Sequence, residues 1–149
     1  EITQFTYMQQ IGGIECSLIP GEITYGLERI AMHIQGVDSI FDINWNGKEN
    51  ADKITYKDIF YRSEVENSHF ILNHSNIDIL FKNFEEAKTQ SQILVENNLP
   101  IPAFEQALKA SHLLNLLDAR QAISVNERAS FIGQIRQLVK SSCEKMIEN

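Results

Sequence analysis

Hydrophobic positions change their spacing at one point in the first third of the chain. Over residues 19–25 β-preferring side chains alternate with others, whereas over residues 27–34 apolar side chains recur every three or four positions. Alternation is typical of a strand, and the longer period is typical of one face of a helix. The sequence therefore predicts a strand that enters a helix near Gly26, and Gly36 is expected to end that helix.

Two further extended segments are predicted before this junction. Residues 1–11 alternate like a strand, and both of its faces carry polar side chains. Gly12-Gly13 marks a turn, after which residues 14–19 are expected to return as a second antiparallel strand. A strand with two partly polar faces either lies at a sheet edge with one face exposed to solvent or lines a polar pocket. The pattern alone leaves both interpretations open.

From residue 53 onward the periods are helical, and two capping boxes mark where helices begin. Thr55 and Asp58 have the spacing of such a box, and the helix after them is expected to reach about residue 69. Ser124 and Glu127 have the same spacing and are expected to open the last helix.

A proline pair separates the two helices that lie between these boxes. The first is predicted from residue 77 and ends before Leu99, and Pro102 is expected to be the first residue of the second. The predicted apolar stripes consist of Phe104, Ala107, Leu108, Ser111, Leu114 and Leu117 on that second helix, and of Phe131, Ile135, Leu138 and Met146 on the last helix.

The two cysteines, Cys16 and Cys143, lack CxxC or metal-type spacing, so we expect reduced, buried thiols.

A polar loop at residues 44–52 is the best candidate for a domain boundary. We therefore predict two domains, residues 1–52 and residues 53–149. The expected fold class is α+β, with a small antiparallel sheet followed by an α-helical bundle domain.

Composition places the chain among ordinary globular proteins. Of its 149 residues 43% are hydrophobic and 22% are charged. No apolar run is long enough to span a bilayer, so we expect a cytoplasmic protein with no membrane partner. The net charge of −7 argues against a general nucleic-acid coat. Residues 103–149, however, carry six Lys and Arg against five Asp and Glu, so only this part approaches RNA without strong repulsion.

Candidate chemistry is concentrated at the strand-to-helix junction. Glu22 and Thr24 point to the same strand face, and Arg29 follows one turn into the helix. A carboxylate, a hydroxyl and a guanidinium together can hold an ammonium group, limit its substituent and bind a phosphate or a flat base. The plainer alternatives are a solvated turn, a surface ion pair of Arg29 with Glu28 or Glu22, and a glycine at position 26 needed only to end the strand.

Other catalytic and metal-binding patterns are missing from the sequence. The four histidines lack the spacing of a zinc site, and Gly21 and Gly26 are not followed by the Gly-Lys-Ser/Thr of a phosphate loop. No Gly-x-Ser-x-Gly elbow suggests acyl-enzyme chemistry.

The junction resembles a known signature. Residues 21–32, Gly-Glu-Ile-Thr-Tyr-Gly-Leu-Glu-Arg-Ile-Ala-Met, resemble the third motif of class II aminoacyl-tRNA synthetases, in which a strand enters a helix that carries the motif's arginine. Residues 1–36, with Thr-Tyr-Met-Gln-Gln-Ile-Gly-Gly at positions 6–13, resemble the α chain of the bacterial-type, two-subunit glycyl-tRNA synthetase, as do residues 116–120 and 122–128. The resemblance extends over essentially the whole chain. It favours a polar pocket lined by the first strand.

The resemblance implies a role for each candidate side chain. Glu22 would hold the α-ammonium of glycine, and Thr24 would fill the space of an alanine methyl, where the related alanyl-tRNA synthetases have a glycine. Arg29 would be the catalytic residue, lying against the adenine and reaching the terminal phosphate of ATP. Gln4 and Thr6 would also contact glycine, Glu1, Thr3 and Gly26 would bind ATP with Arg29, and Glu1 would help to hold Mg²⁺.

The implied activity is that of a glycine-tRNA ligase, which forms glycyl-adenylate from glycine and ATP and transfers glycine to the 3′ end of tRNA(Gly). The implied protein partners are a second α chain and the β subunit, in an α2β2 assembly. We expect the family's first two motifs, and partner strands for residues 1–11, upstream of Glu1. We therefore expect residues 1–149 alone not to activate glycine. Two alternatives stay open: a non-catalytic helical docking module for the β chain or tRNA, and a paralogue that makes adenylates without charging tRNA.

Overall fold

The first strand of the chain does not pair with the next segment in sequence. In the computed structural model, which describes residues 1–148, strand β1 (Thr3–Tyr7) pairs antiparallel with strand β4 (Gly21–Tyr25). The segment between them forms a separate hairpin of strands β2 (Gln10–Ile11) and β3 (Ile14–Glu15). The antiparallel return after Gly12-Gly13 is therefore confirmed, but the predicted extents are wrong. Residues 1–11 form two strands and not one, and the returning strand ends at Glu15 and not at residue 19. Alternation identifies extended backbone but not its partner or its breaks.

Five α-helices follow, and they confirm an α+β chain that is mostly helical. They are α1 (Leu27–Gln35), α2 (Tyr56–His69), α3 (Ile77–Glu96), α4 (Pro100–Ala119) and α5 (Val125–Glu148). Two 3₁₀ turns (Ile40–Asp42 and Asn50–Asp52) precede α2, and a π-helical turn (Phe70–His74) follows it. No helix within residues 1–148 is both long enough and apolar enough to cross a membrane.

The chain divides into two compact units that are not continuous in sequence. Unit 1 contains residues 1–8 and 19–70, with β1, β4, α1 and α2. Unit 2 contains residues 9–18 and the chain from residue 71 onward, with the β2–β3 hairpin and helices α3 to α5. The domain boundary after residue 52 stays a prediction. Helix α2, which follows that residue, belongs to the same compact unit as β1 and β4.

Unit 1 has little core and is held together by loop contacts. Ile43 is its only buried residue among those described. The Gln35 side chain donates to the Asn44 carbonyl at 3.2 Å and accepts from the Asn44 N–H at 2.7 Å, which ties the end of α1 to the loop. Trp45 packs edge-on against Tyr56 and Phe60 of α2 at 5.9 and 5.3 Å, so it is a packing anchor.

Unit 2 is a three-helix bundle with a continuous apolar core. Phe84 of α3 and Leu117 of α4 are completely buried, and Phe84 meets Phe131 of α5 edge-on at 4.9 Å. Ser91 on α3 donates to the Ala103 carbonyl at 2.9 Å, a buried bond between α3 and α4. The buried core residues are Leu80, Phe84, Ala87, Ala110, Leu113, Leu114, Leu116 and Leu117.

The helix boundaries confirm most of the predictions and correct one. Both capping boxes form, at Thr55 for α2 and at Ser124 for α5. Helix α1 ends at Gly36 in the left-handed conformation, with a φ of 64°. Helix α4, however, begins at Pro100 and not at Pro102. The N–H groups of a helix's first turn have no partner inside the helix, so both prolines fit there.

Three side-chain predictions are also corrected. Leu108 and Met146, predicted on apolar stripes, are 52% and 49% exposed. The thiols of Cys16 and Cys143 are free as expected, but both are half-buried. Burial raises the pKa of the Cys143 thiol, and the nearby Glu144 carboxylate raises it further. The helical period alone does not reveal which apolar positions face solvent.

The β2–β3 hairpin packs on α5 through a glycine. Gly12 and Gly13 form its turn, and both have positive φ, 59° and 80°. A Cβ atom at position 12 would lie 2.8 Å from the Cys143 Sγ atom, whereas one at position 13 would meet nothing within 4 Å. The left-handed backbone therefore favours glycine at both positions, but only at Gly12 does close packing also require it.

We predict that Gly12→Ala destabilises the protein more than Gly13→Ala does. Both variants strain a left-handed residue, but only the first also overlaps Cys143, at a further cost of about 1–3 kcal/mol. Urea denaturation of the two variants measures the difference in unfolding free energy. Adding Cys143→Ala should restore part of the loss at position 12 and none at position 13. Equal destabilisation by the two glycine variants would contradict this packing.

We also predict that acidification weakens the two capping boxes. The pKa of Asp58 is lowered most by a hydrogen bond from the Thr55 backbone N–H and less by one from the Thr55 hydroxyl. The pKa of Glu127 is lowered most by a hydrogen bond from the Ser124 hydroxyl and less by one from the Ser124 backbone N–H. A carboxyl whose pKa is lower in the folded state stabilises the fold above its unfolded pKa, and this contribution is lost as pH falls through the folded value.

Ser124→Ala tests this linkage, because it removes the bonds to Glu127. Its effect on the urea midpoint should be larger at about pH 7 than at about pH 3. Ser130→Ala, on the exposed side of the same helix, is the matched control and should behave like the parent protein at both values. A loss of stability that is equal at the two pH values would refute the linkage.

Candidate functional site

The register between β1 and β4 brings four predicted site residues onto one face of the ribbon. Gln4 lies opposite Thr24, and Thr6 lies opposite Glu22. Directly opposed residues of an antiparallel pair have their Cβ atoms about 4.5–5.5 Å apart. The four polar side chains predicted to contact glycine therefore form one patch, although they come from segments fifteen or more positions apart in sequence.

Two members of this patch are directly bonded. The Thr24 hydroxyl donates to Oε1 of Glu22 at 2.6 Å. This separation lies in the range of about 2.5–2.7 Å expected for a hydroxyl bonded to a carboxylate. The expectation that an acid and a hydroxyl stand side by side is therefore confirmed.

Arg29 is anchored by the backbone that precedes β1. Its Nη1 atom donates to the carbonyl oxygen of Glu1 at 2.8 Å. Beside it, the Gly26 N–H donates to the carbonyl of Ile2 at 2.9 Å, which extends the ribbon by one bond. Within residues 1–148 Arg29 forms no ion pair with Glu22 or Glu28, so the alternative of a surface ion pair has no support there.

A small cleft of about 130 Å³ lies at this end of the ribbon. It gathers six of the eight predicted site residues, while Glu22 and Thr6 lie farther along the same strands. Binding pockets for small molecules usually enclose about 300–1,000 Å³, so this cleft accommodates only part of a nucleotide. Its lining residues are Glu1, Ile2, Thr3, Gln4, Thr24, Tyr25, Gly26 and Arg29.

The opposite face of the ribbon is apolar and exposed. Phe5 pairs with Ile23, and Tyr7 and Tyr25 lie on the same side. These four side chains are 57–66% exposed. Thr3, predicted to bind ATP, lies opposite Tyr25. It is therefore on the apolar face of the ribbon, whereas Gln4 is on the polar face. A two-stranded ribbon with both faces open is marginally stable without further partners.

Gly26 is not required by the conformation of this chain. Its φ of −80° is accessible to any residue. The nearest neighbour of a Cβ atom there would be the Arg29 side chain, at 3.4 Å, which is ordinary contact. The alternative that glycine is needed merely to end the strand therefore has no support in the backbone geometry.

Metal-binding side chains are sparse around the cleft. In the described part of the chain no three His, Cys, Asp or Glu side chains cluster as they would around a metal ion. Magnesium at phosphate sites is bound by one or two carboxylates together with phosphate oxygens and water. The single carboxylate of Glu1, which lines the cleft, fits that kind of partial ligand set.

Sequence reasoning missed the backbone groups of the site. The carbonyls of Glu1 and Ile2 hold Arg29 and Gly26 in place, and every residue type carries a carbonyl. Tyr25 and Ile2 also line the cleft and were not predicted. Only the strand register reveals these neighbours, and register is not visible in a single strand's pattern.

One known protein family matches the sequence of this chain. The family described as glycyl-tRNA synthetase alpha subunit matches residues 1–149, the whole of the chain. The match includes the strand-to-helix junction, the β2–β3 hairpin and the helices of unit 2. The chain therefore belongs to the glycyl-tRNA synthetase α-subunit family, a family of class II aminoacyl-tRNA synthetases.

Proposed function

We propose that this chain contributes to the glycine-tRNA ligase reaction and carries part of its amino-acid and ATP site. Glycine's carboxylate attacks the α-phosphorus of ATP, which gives glycyl-adenylate and pyrophosphate. The terminal adenosine hydroxyl of tRNA(Gly) then takes the glycyl group and releases AMP. The observation that carries the proposal is the bonded Glu22–Thr24 pair on one ribbon face, followed by the anchored Arg29, in a chain of this family.

Glycine recognition is assigned to the polar face. Glu22 holds the α-ammonium by a charge-assisted hydrogen bond worth about 1.5–3 kcal/mol. Thr24 fills the space that a side chain on the substrate would need. Glycine has no side chain that an enzyme could bind, so an enzyme for glycine must exclude larger amino acids by steric clash. Gln4 and Thr6, opposite these two residues, complete the glycine contacts.

ATP binding is assigned to the cleft at the end of the ribbon. The guanidinium of Arg29 is planar, permanently charged and a forked donor, so it can stack on the adenine and bond to a phosphate. Gly26 lets the nucleotide approach the backbone, and Thr3 and Glu1 line the same cleft. Glu1 would hold Mg²⁺, which supplies charge neutralisation for the phosphates when bound. The partners proposed from the family are tRNA(Gly), the β subunit and a second α chain. The proposed location of the protein is the cytoplasm.

Replacing Thr24 by glycine tests the amino-acid site. In the assembled enzyme, Thr24→Gly should let alanine enter and lower the preference for glycine over alanine by about tenfold or more. Glycine- and alanine-dependent pyrophosphate exchange measures both substrates. Ser17→Gly, on an exposed residue outside the ribbon, is the control and should leave the preference unchanged. An unchanged preference in Thr24→Gly would remove Thr24 from the proposed site.

A docking role for the helices is a second proposed function, and exposed apolar side chains favour it. Ile79, Ile101, Leu108 and Val125 lie on α3, α4 and α5 and are 52–85% exposed. Contiguous apolar surface is typical of protein interaction sites, and these side chains are the candidates for such a patch. The docking and catalytic roles are compatible. A paralogue that forms adenylates without charging tRNA is the third possibility, and a tRNA(Gly) aminoacylation assay distinguishes it.

Charge reversal on α5 tests the docking role. Arg136 is exposed and forms no ion pair within residues 1–148, whereas Arg128 pairs with Asp118 at 3.1 Å. Arg136→Glu should therefore weaken tRNA or β-subunit binding without disturbing the bundle, and the loss should shrink as salt rises. Lys48→Glu, in the loop of unit 1, is the matched control. Unchanged affinity of Arg136→Glu for both partners would exclude this face of α5 from docking.

A further inference from the structure

The hydrogen bond between Thr24 and Glu22 has a fixed direction. A carboxylate only accepts hydrogen bonds, so the shared proton belongs to the Thr24 hydroxyl. A threonine hydroxyl has a single proton and two lone pairs. Because that proton is donated to Glu22 at 2.6 Å, the Thr24 oxygen can offer only lone pairs to a third group.

The Glu22 carboxylate keeps its other oxygen available. Within residues 1–148 Thr24 is the only group that donates to it, and the bond involves Oε1 alone. Both side chains are exposed on the ribbon face that also carries Gln4 and Thr6. The pair therefore offers two acceptors, Oε2 of Glu22 and Oγ1 of Thr24, on strand positions two residues apart. A primary ammonium, which carries three N–H donors and a positive charge, is the chemical group that such a pair of acceptors suits best.

We propose that the Thr24 hydroxyl orients the Glu22 carboxylate and is itself the second acceptor for the substrate's ammonium. This inference rests on the proposed function and adds to it, because there Thr24 acts only through its bulk. The two properties belong to different atoms of one side chain. The branched carbon skeleton excludes a substrate methyl, and the hydroxyl orients Glu22 and accepts from the ammonium.

Substitutions at position 24 separate the two properties. Thr24→Val keeps the branched shape and removes the hydroxyl, whereas Thr24→Ser keeps the hydroxyl and removes the methyl. Glycine-dependent pyrophosphate exchange by the assembled enzyme gives KM for glycine and for ATP, kcat, and the acceptance of alanine.

Thr24→Val should raise KM for glycine about tenfold or more, because the lost hydrogen bond is to a charged ammonium. Its kcat should change less, KM for ATP should not change, and alanine should stay excluded. Thr24→Ser should bind glycine almost as the parent enzyme does but accept more alanine.

Two outcomes distinguish failure of this inference from failure of the proposed function. If Glu22→Gln raises KM for glycine and Thr24→Val does not, the orienting role of Thr24 is wrong while the ammonium site at Glu22 stands. If Glu22→Gln leaves KM for glycine unchanged, the proposed amino-acid site itself is wrong. Should Thr24→Val fold poorly, Thr24→Ser and Thr24→Ala differ only by the hydroxyl, and equal KM values for glycine in that pair would also overturn the inference.

Discussion

The pairing register of β1 and β4 is the constraint on which the candidate site depends. Side chains alternate between faces, so a slip of one residue in either strand would move its polar members to the apolar side. The bond from Met8 N–H to the Pro20 carbonyl fixes one end of the ladder, and the bond from Gly26 N–H to the Ile2 carbonyl fixes the other. Arg29 depends on the same register, because its anchor is the carbonyl of Glu1.

The two units differ in how they are stabilised. Unit 2 has a cluster of buried apolar side chains on α3 and α4, and partly buried side chains of α5 pack against it. Unit 1 has the single buried residue Ile43 in its described part. Elements with few buried contacts open more easily than those packed in a core. The candidate site therefore lies on elements of low local stability. The hairpin that joins β1 to β4 belongs to unit 2, where Gly12 packs on Cys143, so both strands continue into the better-packed part of the chain.

Local chemistry explains which features could be predicted from the sequence. The capping boxes at Thr55 and Ser124, the end of α1 at Gly36 and the side-by-side placement of Glu22 and Thr24 depend on residues only a few positions apart. Features that depend on distant residues were missed or wrong. Residues 14–19 have the alternation of a strand, yet β3 ends at Glu15, because its partner β2 has only two residues. Leu108 has the right helical spacing for a core position, but no element covers it in the described chain.

The anchoring of Arg29 gives a physical reason for arginine at this position. One N–H of its guanidinium is bonded to the Glu1 carbonyl, which fixes the direction of the planar group. The remaining N–H donors and both faces of the plane stay available, so the same side chain can be held by the protein and still bind a phosphate or stack on a base. A lysine bonded to that carbonyl would keep two donors on one nitrogen but would lack a flat face and a second nitrogen to reach outward. Gly26, where neither the backbone nor the packing of this chain requires glycine, lies beside the aliphatic stem of Arg29 and adds no side chain there. The flat, anionic ligand proposed for this cleft would use the remaining N–H donors of Arg29 and the small size of Gly26.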